Sequence, residues 1–333
     1  MHIPDNYLSP ATCAVMGAAM APVWAVAVRK VTREVSSAKV PLLGIGAAFS
    51  FLIMMFNIPL PGGTTGHAVG GVLMAVVLGP WSACISVSIA LLIQALMFGD
   101  GGILSLGANC FNMAFVIPFL GYFIYAFVRD RARSERGRMA GLAAGAYVGL
   151  VVAALLTAIE LGVQPVLFRD PSGLPLYNPY PLSVSVPAML LPHLAVAGVV
   201  EAIFTVGIYT FIRRVSPGLL RESGEVRTRP LHALLAALIV LSPLGLLAAG
   251  TAWAEWSPEQ ISSVVVKGKA LGYVPAAMKS GFGFPALFPG YSLNGVPGFY
   301  GYIISAIAGA AVLVIAFKLL GLLRRADRGR TRA

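Results

Sequence analysis

Apolar residues fill this chain in blocks of about twenty, the number a helix rising 1.5 Å per residue needs to cross the hydrocarbon core of a bilayer. Blocks at 11–28, 40–58, 81–98, 107–128, 139–162, 186–212, 231–250 and 298–323 each predict a membrane-spanning helix. A ninth block, 66–79 (GHAVGGVLMAVVLG), is shorter and rich in glycine, and its length fits a re-entrant piece as well as a crossing. Polar stretches between the blocks predict loops at 57–67, 99–106 and 163–185, with the longest at 251–297.

Charge decides between the two readings of the ninth block. The cations gather in four clusters: Arg29, Lys30, Arg33 and Lys39; Arg129, Arg131, Arg133, Arg136 and Arg138; Arg213, Arg214, Arg221, Arg227 and Arg229; and Arg324, Arg325, Arg328, Arg330 and Arg332. These make up nineteen of the 24 Lys and Arg residues, and whole apolar blocks separate them. A nucleic-acid surface would need one continuous basic face, so no nucleic-acid partner is expected despite the net charge of +11. Cation-rich loops mark the cytoplasmic side of a membrane protein. All four clusters share that side only if 66–79 crosses, which predicts nine crossings with the N-terminus outside and the C-terminus in the cytoplasm. The expected fold class is an all-α polytopic membrane protein. A seven-helix body spans 1–213, a cytoplasmic linker 214–230, and a C-terminal segment of two transmembrane helices 231–333. A composition 58% hydrophobic and only 11% charged over 333 residues excludes a disordered chain, a disulfide-stapled mini-protein and an ordinary soluble enzyme. Cys13, Cys84 and Cys110 show no metal-type spacing and are expected to be small buried hydrophobes. MHIPDNYLSP lacks the basic start of a cleavable signal.

In so apolar a chain the polar residues carry the information. Of the four histidines, His2 and His67 both fall on the outer side. A histidine at position 2 lets one chain end offer three nitrogens: the Met1 amine, the His2 amide once deprotonated, and the His2 imidazole. These close two fused chelate rings, and His67 would supply a fourth nitrogen. Square-planar nitrogen coordination favours Ni(II) or Cu(II) over tetrahedral Zn(II). Pro4 keeps Ile3 extended and the terminus out of helix. An incidental His2 and a His67 that caps a helix end is the other reading of the same two residues.

The opening MHIPDNYLSP, then NIPLPGGTTGHAVGG (57–71), LLIQALMFGDGG (91–102), LGANCFNMA (106–114) and PHLAVAGVVEAIFT (192–205) resemble the CbiM/NikM family. That family comprises the substrate-specificity components of energy-coupling-factor (ECF) transporters for cobalt and nickel. The resemblance covers about residues 1–213, and the C-terminal segment resembles a fused NikN/CbiN-type accessory subunit. It implies an ABC-type importer in a bacterial or archaeal cytoplasmic membrane, with Met1, His2 and His67 as metal ligands and Ni2+ or Co2+ as cargo. The fused arrangement favours nickel. The implied partners are a transmembrane coupling subunit and separate ATPase subunits. One departure is visible: Pro4-Asp5-Asn6 stands where the family reads PDG, and Asn also tolerates a left-handed turn.

Ligating imidazoles usually give their second N–H to a carboxylate, carbonyl or water. Asp5, Asn57, Thr64, Thr65 and Asn109 are candidates for that supporting role near the outer face. Asn109 and Asn112 would share one helix face, where hydrogen bonding between helices competes as an explanation. Glu201 lies mid-helix, where an acidic residue costs about 2.5–3.5 kcal/mol on insertion scales, and reads as a relay or a buried hydrogen-bonder. His193 stands eight residues before it, rotated away, which speaks against a direct pair. Glu160, Gln94 and His232 read as boundary or packing residues. Ala14, Gly17, Ala18 and Ala21 give the first helix a small-residue face for close packing, internally or against the coupling subunit. No GxxxxGK[ST] occurs, so the chain has no phosphate-cradling P-loop, and no resident cofactor or enzymatic activity is expected. A self-contained cation channel or secondary transporter would need intramembrane carboxylates, and only Glu201 is central. An intramembrane metalloenzyme would need an open coordination position, and HExxH is absent.

Overall fold

The computed structural model describes residues 1–220, 226–266 and 268–330. Arg221, Lys267 and Arg332, together with 222–225 of the linker, lie outside the described residues. The architecture is all-helical apart from two small hairpins. Among the described residues seven helical segments are long and apolar enough to cross a membrane, and Val40–Met54 is a shorter apolar helix.

Helix α1 (Pro10–Glu34) starts where Ser9 accepts a hydrogen bond from the Thr12 amide at 3.0 Å and Pro10 pre-sets the first turn. Helix α2 (Val40–Met54) is buried along nearly its whole length and forms the axis of the core. Strands β1 (Ile58–Leu60) and β2 (Thr64–Gly66) pair antiparallel through a turn at Gly62 and Gly63, both at positive φ. The block 66–79 is not one continuous helix. Residues up to Gly70 are strand and irregular chain, and only α3 (Gly71–Leu78) is helical. Gly70 (φ 72°) and Gly79 (φ 88°) bound it, and Pro80 opens the next helix. Eight residues reach about 12 Å, well short of a bilayer.

Helix α4 (Pro80–Ile93) passes into a π-turn at Gln94–Phe98. Helix α5 (Leu106–Asn109), a π-turn at Cys110–Val116 and α6 (Ile117–Arg129) form one rod. Helix α7 (Glu135–Gly162), capped by Ser134, packs along α6, and the short α8 (Gln164–Leu167) ends that run. Helix α9 (Leu182–Pro192), a third π-turn at His193–Ala197 and α10 (Gly198–Val215) complete the body.

Helix α11 (Arg229–Leu241), extended by a 3-10 turn at Ser242–Leu247, and α14 (Gly298–Arg330) are the two C-terminal helices, and both pack on α2. Close approach explains the fit: a Cβ at Gly44 would meet the Phe317 Cβ at 2.8 Å. The segment between them holds α12 (Pro258–Ile261), the hairpin of β3 (Val265–Val266) and β4 (Lys269–Ala270), α13 (Ala276–Ser280) and a single turn at Pro289–Tyr291. The three cysteines are free and buried.

Candidate metal centre

The first nine residues form no helix but an irregular plug, and almost every polar group in it is held from outside. The Ile3 amide donates to Asn109 Oδ1 at 2.8 Å. The Ile3 carbonyl accepts from Ser105 Oγ (2.5 Å), Asn109 Nδ2 (3.0 Å) and the Gly102 amide (2.9 Å). The Asp5 carboxylate accepts from the Ile103 and Leu104 amides at 3.0 and 2.8 Å. Asn6 takes the left-handed conformation (φ 69°), so the departure from PDG leaves the turn intact. Its side chain exchanges two hydrogen bonds with the Phe282 backbone. Tyr7 donates to the Trp256 carbonyl at 2.8 Å, and the Ser9 amide to Gln164 Oε1 at 3.0 Å.

This anchoring brings the chain end to His67. The Met1 amine lies 3.5 Å from His67 Nε2, and His2 Nδ1 lies 3.2 Å from the same atom. His67 Nδ1 sits 3.1 Å from the Ala68 carbonyl, which can only accept. Nδ1 therefore carries the proton and Nε2 presents its lone pair to the other two nitrogens. Nδ1 is also the His2 nitrogen that closes a ring with its own amide. Met1, His2 and His67 are all buried, at 4–5% exposure.

Two carboxylates border the nitrogens. Asp100 Oδ1 is 3.2 Å from His2 Nδ1, and Glu255 Oε1 is 3.7 Å from the Met1 amine. Burial and the neighbouring N-terminal charge hold the His2 imidazole down to about 3. Burial, the same charge and the His2 ring hold His67 well below its usual range. Burial raises the Glu255 carboxyl, against the pull of the Met1 amine. The centre is thus crowded with lone pairs, namely two neutral imidazoles and two carboxylates, with the Met1 amine as its one obligatory donor. Among the described residues no three or more His, Cys, Asp or Glu side chains are arranged to hold a metal ion by themselves. A cation held at this place needs the main-chain nitrogens.

Of the expected supporting residues, Asp5 and Asn109 shape the plug. Asn57, Thr64 and Thr65 lie on or beside the β1–β2 hairpin leading to His67; among the described residues no hydrogen bond joins them to Met1, His2 or His67. Thr64 faces the Thr251 carbonyl at 3.4 Å instead. Asn112 parts from Asn109 and donates to Thr157 and Glu160. His193 Nδ1 bonds the Met189 carbonyl, and His232 the Thr228 carbonyl.

Glu201 is a structural hydrogen-bonder. Its carboxylate accepts from the Val69 amide at 2.7 Å and the Gly70 amide at 3.0 and 3.2 Å. It thereby fastens the segment just after His67. Sequence reasoning missed Asp100, Glu255, Ser105 and Tyr291, and placed Gln94 among packing residues. Asp100 stood inside the quoted GDGG motif, whereas Glu255 and Tyr291 lie far along the chain with no local signal.

Residues 2–219 match the family model described as the cobalt uptake substrate-specific transmembrane region, and residues 227–326 match the PDGLE domain. The chain is 51% identical to the "Probable fused nickel transport protein LarMN" of Lactiplantibacillus plantarum, over 98% of this chain and 99% of that one. It is 48% identical to the fused nickel transport protein NikMN of Rhodobacter capsulatus, with the same coverage. A crystal structure of a truncated transition metal transporter is 56% identical, with a TM-score of 0.61, and covers 64% of this chain and 99% of that one. With two thirds of its length matched by that model, and relatives close to half identical end to end, this chain belongs to the CbiM family of metal-uptake membrane proteins.

Proposed function

We propose that this chain is the metal-capturing membrane component of an ECF-type importer for nickel. Met1, His2 and His67 hold the ion at the outer face through the Met1 amine, the His2 amide and Nδ1, and His67 Nε2. The convergence of His2 Nδ1 and the Met1 amine on the lone pair of His67 Nε2, at 3.2 and 3.5 Å, carries this assignment. Four nitrogens in that arrangement suit a square-planar ion. The relatives named as fused nickel transport proteins share the two-part layout, which favours Ni2+ over Co2+.

In this reading the N-terminus is outside, the four cationic clusters face the cytoplasm, and residues 1–213, 214–230 and 231–333 are body, linker and accessory segment. The loop 251–297 closes over the plug and governs loading. ATP hydrolysis resides on separate ATPase subunits, joined through a transmembrane coupling subunit. The exposed side of α1 supports a docking role, because Ala14, Ala18 and Ala21 are uncovered and a Cβ at Gly17 would meet nothing within 4 Å, whereas Gly107 is the glycine that packs against the α1 backbone.

The decisive experiment adds three residues before Met1, because a single one would place the histidine third and build a new amine–amide–amide–imidazole chelate for Ni2+. The extension leaves every side chain in place but destroys the amine–amide–imidazole chelate. Ni2+ binding by the purified chain should be lost, as it should in His67→Ala. Undiminished binding by the extended chain would overturn the assignment.

A further inference from the structure

Two buried polar atoms beside the metal centre lack partners: His2 Nε2 and Gln94 Oε1. They belong to neighbouring side chains, since His2 Nδ1 and Gln94 Nε2 each lie 3.2 Å from an oxygen of the same Asp100 carboxylate. Gln94 is itself fully buried. It opens the π-turn that ends α4, the kind of irregularity that concentrates at functional sites.

The orientation of its amide is fixed from the far side. Gln94 Nε2 donates to Asp100 Oδ2 at 3.2 Å and to the Tyr291 hydroxyl at 3.1 Å, and that hydroxyl donates to the same Asp100 oxygen at 2.5 Å. With the NH2 group committed to two oxygens, Oε1 must be the end turned away from them, and it can only accept. His2 Nε2 needs such an acceptor whenever Nδ1 is bound to a metal, because the neutral imidazole then carries its proton on Nε2.

Resting on the metal-centre assignment proposed above, we infer that Gln94 is a positioning residue for the metal ligand His2. Its Oε1 accepts the Nε2 proton of the ring and so selects the tautomer that leaves Nδ1 free for the ion. Tyr291, from the C-terminal segment, locks Gln94 in that orientation. The C-terminal segment therefore acts on the centre through a hydrogen-bond chain, Tyr291 to Gln94 to His2, without touching the metal. The last link joins the two unpaired atoms, Gln94 Oε1 and His2 Nε2, when Nδ1 is engaged by the ion.

The test uses the full-length chain in detergent, with Ni2+ as probe, and reads affinity by chelator competition together with the ligand-field spectrum. Selective 15N-histidine NMR reports the ring tautomer of His2. Gln94→Met keeps the length of the side chain and removes the acceptor. It should weaken Ni2+ binding by about 10–100-fold, the usual cost of losing the hydrogen-bond partner of a ligating histidine, and shift the Ni2+ band. Tyr291→Phe removes one hydroxyl and should weaken binding by up to about tenfold. Should Gln94→Met fail to fold, Tyr291→Phe and the His2 tautomer in the parent still decide the matter. Binding by Gln94→Met within twofold of the parent with an unchanged band, or a bound His2 with its proton absent from Nε2, would overturn the inference. A parent that binds no Ni2+, or His67→Ala binding as the parent does, would instead sink the metal-centre assignment itself.

Discussion

Glu201 offers the sharpest test of how the bilayer-embedded body holds the metal centre. Its carboxylate accepts from the amides of Val69 and Gly70, two and three residues beyond His67. These amides stand at the start of α3, where unpaired N–H groups and the helix dipole favour an anion. Gly70 holds φ 72°, and a Cβ there would meet the Phe49 ring at 2.7 Å, so the chain has little freedom to seek other acceptors. Hydrogen bonds to a charged group contribute about 1.5–3 kcal/mol each, so Glu201→Leu, which strands two buried amides, should cost about 3–6 kcal/mol. Glu201→Gln keeps one acceptor oxygen and turns an N–H toward the other amide, so it should fall between Leu and the parent.

Two measurements separate positioning from bulk stability. Thermal unfolding in detergent reports the global cost, and Ni2+ affinity of the folded fraction reports the placement of His67. Because the Glu201 bonds end on residues 69 and 70, the affinity should fall in both variants even below the melting transition. Glu201→Gln with parent-like Ni2+ affinity and melting temperature would refute the clamp and return Glu201 to a role in moving ions.

Three further outcomes follow from the same geometry. His2 is held down to about 3 and His67 is also lowered, whereas an unfolded imidazole titrates near 6.5. The unfolded chain therefore binds more of these imidazole protons below pH 6.5, but the raised Glu255 carboxyl takes up a proton in the folded state down to its ordinary range near 4.5 and opposes the trend. Stability of the protein should decline as pH falls from 4.5 toward 3, and a flat melting temperature from pH 4.5 to 3.5 would contradict this. Gly102→Ala places a Cβ onto Asp5 and Ser105, so it should displace the plug and abolish Ni2+ binding while the transmembrane helices still form, as circular dichroism would show. Glu255→Gln removes the carboxylate beside the Met1 amine and should weaken Ni2+ binding with little change in melting temperature, read by titration calorimetry.

The membrane helices were legible because hydrocarbon demands long apolar runs, and periodicity at that scale survives without tertiary context. His2 and His67 were legible because a histidine at position 2 has distinctive coordination chemistry. The extent of α3 was not, since its ends depend on backbone conformation at Gly70 and Gly79 rather than on hydrophobicity. Asn57, Thr64 and Thr65 were expected to support the ligands because they fall near the outer face with His67, but a hairpin points such residues along its own strands. Tyr291 reaches Gln94 across 197 residues, and Glu255 reaches Met1 from still farther along the chain, distances over which local pattern carries no signal. Their recruitment depends on α11 and α14 packing against α2.

A chain end makes a demanding ligand. In the proposed site Met1 would contribute its amine and His2 its amide, neither of which a side-chain rotamer can steer, so the whole plug must be fixed for the nitrogens to meet. Ile3 is accordingly held by four hydrogen bonds, and Asp5, Asn6 and Tyr7 add more on either side. Those from Ile3 and Asp5 go to the body, and those from the Asn6 side chain and the Tyr7 hydroxyl to the C-terminal segment, while the Tyr7 carbonyl accepts from the Asn178 amide of the body at 3.0 Å. With its three ligand residues almost wholly covered, the centre is closed to solvent as it stands. The contacts of Asn6 with Phe282 and of Tyr7 with Trp256 join the plug to the covering loop, so on the proposed reading it is these that an entering ion would release. The bonds of Ile3 to Asn109 and Ser105 can persist meanwhile and keep the nitrogens in register. Fusion of the C-terminal segment thus places the opening contacts and the closing contacts on different parts of one chain, so the plug can be uncovered without being dismantled.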